Sequence, residues 1–387
     1  MIILKVKKQI KILVTEKLVI YWWVTFFIVT LDILFSGQVF SSDVERIRIS
    51  KDNFSFILEK SERAFIPWGF NYDHDEKGRL IEDYWGNEWD KVEEDFQEMK
   101  ELSANVVRIH LQLGKFMLSP EKPNKSALRQ LKKVLILAKK LNLRLDITGL
   151  GCYLKQYVPD WYDKLGEKER WNVQAKFWEA IAKVCANNPV IFCYDLMNEP
   201  VVPVDKRESG NWLGGDFAGY YYVQFITLNQ ANRPRQEIAR QWIRQLKTAI
   251  RKYDTQSFIT VGMLPSSLKN NEFNSGFNPK EIGDELDIIC VHIYPKSGEL
   301  QKSMETLREY SVGKPIVIEE MFPLNCSIND LGKFIDDSKQ FASGRIGFYW
   351  GKKPEEYNGS KEIADILTLD WLRLFEKKAK TFAKNEF

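Results

Sequence analysis

Apolar residues recur along this chain in two rhythms, and the alternation between them predicts the fold. Short apolar runs with strand character stand at Ala64–Asn71, Ala104–His110, Leu143–Thr148, Val190–Leu196, Phe258–Met263, Leu286–Ile293, Pro315–Glu320 and Arg345–Trp350. Between several of them, apolar residues fall three and four apart, as one helix face requires. Leu128, Leu131, Leu135, Ala138 and Leu141 form one such face; Val173, Phe177, Ile181 and Val184 form a second, and Ile238, Trp242, Leu246 and Ala249 a third. A short helix is expected over 279–283. Ahead of the first run, Ile47–Ser50 and Ser55–Lys60 read as a hairpin. Eight strands alternating with helices predict a (β/α)8 TIM barrel, an α/β fold, with a doubly wound sheet as the structural alternative. Polar residues that end apolar runs favour the barrel, because barrel chemistry is built at the C-terminal ends of strands.

One apolar run has neither rhythm. Leu18–Phe35 is 18 residues long and follows Lys5, Lys7, Lys8, Lys11 and Lys17; after it comes Val39-Phe40-Ser41, which suits the small-residue rule for leader cleavage. Residues 1–41 are therefore expected to be a signal peptide or an N-terminal membrane anchor, and 42–387 a single catalytic domain, secreted or exported. Asp32 would be costly near the middle of a span. Those five lysines stand against Glu16 and Asp32 alone, which accounts for the whole net charge of +3. The remaining chain is neutral, so it lacks the concentrated cationic surface that nucleic acid demands. Five scattered cysteines do not make a disulfide framework, and with three histidines no Cys/His cluster has zinc spacing. No metal and no cofactor is expected.

Two strand ends carry the candidate chemistry. The fourth run leads into Asn198-Glu199-Pro200, where the proline stops the strand and holds Glu199 at a rim. The seventh ends Lys314-Pro315-Ile316-Val317-Ile318-Glu319-Glu320. Strands four and seven face each other across a barrel mouth, so two carboxylates there can flank a glycosidic bond. Arg108 sits inside an apolar run, and a charge so placed needs a buried partner.

In these motifs, their order and their spacing, the chain resembles glycoside hydrolase family 5, the cellulase-like group of retaining barrel glycosidases, over roughly residues 63–351. The resemblance implies Glu199 as acid/base and Glu320 as nucleophile, with Glu319 an inward structural carboxylate. It implies Arg108 as a brace for the nucleophile, His292 as a substrate contact and Tyr294 as a hydrogen-bond donor to Glu320. Asn198 would bind the sugar 2-hydroxyl, and Trp350 would be the platform beneath the ring. His110 stands as either a satisfied rim histidine or a substrate contact. Trp161 is expected to add a cleft contact, while Trp68, Trp85 and Trp212 are aromatic candidates of lesser standing. The family commonly shows Asp-x-His after strand three, but this chain has Asp146-Ile147-Thr148, which bears on the substrate more than on the reaction. The implied activity is double-displacement hydrolysis of a β-linked oligosaccharide or polysaccharide, β-1,4-glucan or mannan. A non-catalytic glycan-binding barrel and a transglycosylase are the alternatives.

Overall fold

The computed structural model describes residues 44–268, 274–349 and 351–383. The expected leader and Trp350 lie outside the described residues. Eight parallel strands close into a barrel: β1 (Trp68–Tyr72), β2 (Val106–Gln112), β3 (Arg144–Gly151), β4 (Ile191–Asn198), β5 (Phe258–Met263), β6 (Ile289–His292), β7 (Ile316–Glu320) and β8 (Gly344–Phe348). The helices of the outer ring are α1 (Trp89–Glu101), α2 (Lys125–Lys140), α3 (Glu167–Cys185), α4 (Arg235–Arg251), the single-turn α5 (Pro279–Ile282), α6 (Leu300–Tyr310), α7 (Ile328–Asp337) and α8 (Ile363–Ala383). This is the (β/α)8 barrel that the alternation predicts.

The predicted helix faces are the buried ones. Leu131, Leu135 and Ala138 of α2, Val173, Phe177 and Ile181 of α3, and Ile238, Trp242, Leu246 and Ala249 of α4 all pack inward. One predicted strand is two. Ala64–Phe65 joins a three-stranded N-terminal sheet with Ile47–Ile49 and Phe56–Leu58, and the barrel strand begins afresh at Trp68. Pro67 separates them because proline has no N–H to give a ladder; its carbonyl instead accepts from Arg345.

That small sheet plugs the bottom of the barrel. Ile47, Phe56 and Phe65 pack on Phe192, Phe258, Ile288, Val317 and Ile346 at the strand N-termini. The Phe56 ring meets Phe192 edge-on at 5.2 Å. With one end sealed by apolar side chains, polar groups are confined to the interior and the upper rim.

Helix α8 seals the seam between β8 and β1. Trp371 is fully buried, donates from its indole N–H to the Phe348 carbonyl at 2.7 Å, and meets Phe375 and Phe322 edge-on. Gly347 makes this possible, since a Cβ there would stand 2.1 Å from the Trp371 ring. Trp371→Ala is expected to cost about 3–5 kcal/mol, the usual loss for a buried tryptophan. A thermal unfolding midpoint unchanged from wild type would refute this account of the seam.

Candidate active site

Cross-strand register builds the site. Asn71 on β1 pairs with Arg108 on β2, Arg108 with Asp146 on β3, and Thr148 on β3 with Asp195 on β4. Register shifts interrupt β2–β3 at His110/Gln112, β4–β5 at Thr260/Gly262 and β6–β7 at Val291/His292. Such irregularities re-aim side chains at strand ends, and here they sit beside the polar residues of the upper rim.

Arg108 is the hub. Its Nη1 donates to Glu320 Oε1 at 2.7 Å and to Asn71 Oδ1 at 2.8 Å, and its Nη2 to Asp195 Oδ2 at 2.6 Å and Asn198 Oδ1 at 3.0 Å. Glu319 lies 3.6 Å from its Nε. Burial alone would lower the guanidinium's pKa, but Glu319, Asp195 and Glu320 around it hold it well above its ordinary value.

Glu320 takes a second donor on its other oxygen, the Tyr294 hydroxyl at 2.7 Å. Glu199 accepts from His292 Nδ1 at 2.8 Å. Carboxyl oxygens of Glu199 and Glu320 and a nitrogen of His292 all lie within 4.8 Å of one another. Glu199 has φ of 45°, a left-handed conformation unusual for a residue with a Cβ. Strain of this kind, worth roughly 1–3 kcal/mol, gathers at functional positions. Its backbone is held by a bond from Glu199 N–H to the Gly262 carbonyl at 3.0 Å. Gly262 itself must lack a side chain: a Cβ would lie 2.7 Å from His292 Nε2 and 3.1 Å from Arg108 Nη2.

Five carboxyls of the interior face two cations, so protons make up the difference. Asp146 is pushed well above the usual carboxylate range by burial and by the charge of Glu319. A protonated Asp146 gives Glu319 a donor, which neither could offer if both were ionised. Glu319, against the effect of burial, is held down to about 2 by Arg108 and by His292. Asp195 is raised to about 6 by burial and Glu319, with Arg108 opposing. Burial raises Glu199, and Glu320 adds to the rise while His292 opposes it. His292, although buried, is lifted to about 10 by Glu320, Glu199 and Glu319.

Among the described residues, two groups have donor atoms close enough to suggest a metal, Glu199–His292–Glu320 and Asp146–Cys193–Glu319. In the first, the same atoms already serve as hydrogen-bonding partners, and in the second Glu319 lies against Arg108 and His292. His292 Nδ1 is engaged on Glu199, and the carboxylate charge is balanced by Arg108 and His292.

Most sequence-predicted residues meet here: Glu199, Glu320, Arg108, Asn198, His292 and Tyr294 form one connected set. His110 adjoins it, with Nδ1 2.5 Å from the Tyr153 hydroxyl and Nε2 3.1 Å from Asn71 Oδ1. Burial, then Arg108, depresses its pKa well below the ordinary value, so the ring is neutral. Glu319 points inward and is fully buried. Thr148, in the place of the family's histidine, donates to Asp195 at 2.9 Å. Trp161 is half-buried against the core and edge-on to Tyr162. Trp68 begins β1 at the far end of the barrel and stacks on Phe375, while Trp85 and Trp212 are buried. Asn71, Asp195, Tyr153 and Tyr222 were not singled out from sequence. For Asp195 and Asp146 the signal was present, a charge within an apolar strand, the same that marks Arg108.

Two substitutions separate a buried ion pair from a buried neutral acid. Arg108→Ala strands Glu320, Asp195 and Glu319 and should cost about 3–5 kcal/mol. Asp146→Asn should do the opposite. A carboxyl whose folded pKa is raised stabilises the fold fully below its unfolded value, about 4, and loses that contribution as pH rises towards the folded value. The Asn variant should therefore match or exceed wild type in urea at neutral pH, with a margin that widens upward. A large destabilisation would mean that Asp146 is ionised.

The family model "Cellulase (glycosyl hydrolase family 5)" matches residues 68–333. Among solved structures, an exo-β-1,4-mannosidase from Opitutaceae bacterium strain TAV5 superposes with a TM-score of 0.62 at 15% identity, covering 88% of this chain and 63% of that one. The present chain thus spans less than two thirds of that neighbour. An endo-1,4-β-mannanase from Rhizomucor miehei gives 0.58 at 16% identity, covering 86% and 99%. A β-1,4-mannanase from the sea hare Aplysia kurodai gives 0.55 at 18%, covering 78% and 92%. Identities this low speak for the fold alone, and no curated protein sequence matches. The matched span and the barrel together establish that this chain belongs to glycosyl hydrolase family 5 and is a glycoside hydrolase.

Proposed function

We propose that this enzyme is a retaining β-glycosidase acting on a β-1,4-linked glycan of the mannan or glucan type. The observation that carries the reading is the closeness of Glu199 and Glu320, whose carboxyl oxygens lie within 4.8 Å. Double displacement needs its two carboxyl groups about 5–5.5 Å apart, whereas direct displacement by water needs about 6.5–9.5 Å. In this reading Glu320, oriented by Arg108 and Tyr294 on its two oxygens, attacks the anomeric carbon. Glu199 protonates the leaving oxygen, and after the aglycone departs it removes a proton from water to release the glycosyl-enzyme. His292 occupies one oxygen of Glu199, which leaves the other to hold the proton for the leaving group. The raised pKa of Glu199 suits a group that must begin protonated. Asn198, held by Arg108 and by a bond of its own amide to the Tyr222 carbonyl at 3.0 Å, would in this reading bind the sugar 2-hydroxyl. The mannan option is supported by the three structural neighbours whose names record mannose-specific enzymes.

Three measurements test this. Glu320→Gln should lower hydrolysis of an aryl β-glycoside by several orders of magnitude while the protein stays folded; activity close to wild type would remove Glu320 from the nucleophile's place. On substrates with poor leaving groups, kcat/KM should fall as pH rises through the raised pKa of Glu199, because the acid form is the active one. In Glu199→Gln, with a leaving group good enough to need no proton, that alkaline limb should vanish; its persistence would assign it to another group. Proton NMR of the first product should show the β-anomer, and the α-anomer appearing first would exclude double displacement.

A further inference from the structure

The loop after β4 does not stay over its own strand. It carries a hairpin, Leu213–Phe217 with Tyr220–Phe225, whose second strand pairs in parallel with Pro200–Val201. This hairpin reaches across the mouth. The Tyr220 hydroxyl donates to the Gly78 carbonyl in the loop after β1, and the Tyr220 ring lies 5.7 Å from the His74 imidazole. Nearer its base, Tyr221 N–H donates to the Tyr153 carbonyl at 2.8 Å, just past β3, and the Gln224 amide to the Leu150 carbonyl at 2.8 Å, at the end of β3. Tyr222 continues the wall, 5.2 Å from the Tyr153 ring and stacked on Tyr220 at 5.9 Å. The β4 loop is thereby fastened to the β1 loop and to the end of β3, and so spans the stretch of rim in which β2 and β3 lie.

Behind the wall stands an ion pair that the reaction does not use. Asp73, only 2% exposed, lies 2.8 Å from His74 Nδ1. Against burial, His74 and then His110 hold the Asp73 carboxyl down to about 2. Asp73 follows Asn71 by two residues at the upper end of β1, and Asn71 is bonded to Arg108, which holds Glu320, so the pair stands at the same rim as the two glutamates.

We infer that this walled half of the mouth is a blind pocket for one non-reducing terminal sugar, making the enzyme exo-acting, with the Asp73 carboxylate as the acceptor that recognises the chain end. The inference rests on the glycosidase reading above. During double displacement the glycone stays bonded to Glu320 while the aglycone leaves and water enters, so the closed half fits the part that stays. A sugar inside a chain carries a glycosidic oxygen where a terminal sugar carries a free hydroxyl. An ionised carboxylate has only lone pairs to offer, so it favours the ring that brings a donor.

The test uses the full chain and hexasaccharides labelled at the reducing end, made of whichever sugar the enzyme releases from its aryl β-glycoside. At the earliest times the products should be monosaccharide and labelled pentamer alone. Methylating the terminal 4-hydroxyl should slow release at least tenfold, about the selectivity lost with one hydrogen-bonded hydroxyl or more. Tyr220→Ala, which opens the wall, should yield labelled fragments of several lengths; if that variant does not fold, the wild-type ladder still decides. Mixed-length fragments from wild type, or a methylated hexamer cut at the normal rate, would overturn exo action and leave the glycosidase reading intact. Failure to hydrolyse any aryl β-glycoside would overturn both.

Discussion

The guanidinium of Arg108 is fully buried inside the barrel, and the site is organised by the need to satisfy it. A desolvated cation is tolerable only with anions and acceptors at hydrogen-bonding distance. β1 supplies Asn71, β4 supplies Asp195 and Asn198, and β7 supplies Glu320. One side chain thus sets the relative positions of four strand ends. One of the two carboxylates it bonds directly, Glu320, is the one proposed to attack. Gly262 on β5 contributes by what it lacks, leaving room for Arg108 and His292 side by side.

How much of this the sequence disclosed follows the range of the interactions. Strand and helix periodicity is local, so the eight-strand alternation and the buried faces of α2, α3 and α4 were legible. The two rim glutamates and Arg108 were legible because each is an exception within an apolar strand or at its end, whereas His292 and Tyr294 were marked only by the family resemblance. By that rule Asp146 and Asp195 were equally visible, yet their meaning depends on which strand lies next to which, and Asn71 carries no charge to flag it. The break at Pro67 was written in the sequence and passed over in favour of a longer run. The hairpin of Tyr220 and Tyr222 was not legible, because its role comes from contacts with Gly78 and Tyr153, distant in sequence. Aromatic residues near strand ends misdirect for a related reason: hydrophobicity does not say which end of a barrel a strand presents, and Trp68 stands at the wrong one.

The two ends of the barrel divide stability from chemistry. Below, Phe56, Phe192 and Phe258 make a dry plug, and α8 closes the seam with Trp371 and Phe375. That apolar burial offsets what the upper layer costs, where Glu199 is held at a positive φ and several carboxyls crowd together. A site so rich in acids would disrupt a smaller core.

The shortage of cations also bears on where the reactive proton resides. Arg108 and Tyr294 both direct their donors at Glu320, whereas Glu199 has His292, whose ring is shared with Glu319 and Glu320. Asp146 takes up a proton deep in the barrel, out of reach of substrate. Glu199 is the most exposed carboxyl of the set, so in the proposed mechanism a proton held there is the one a substrate oxygen would meet. The acid layer below acts on the rim through its charge: Glu320, Glu199 and Glu319 lift His292, and Glu319 adds to the rise that burial gives Asp195. Burial and that crowding together raise the rim carboxyl of Glu199, the property that the proposed general acid requires.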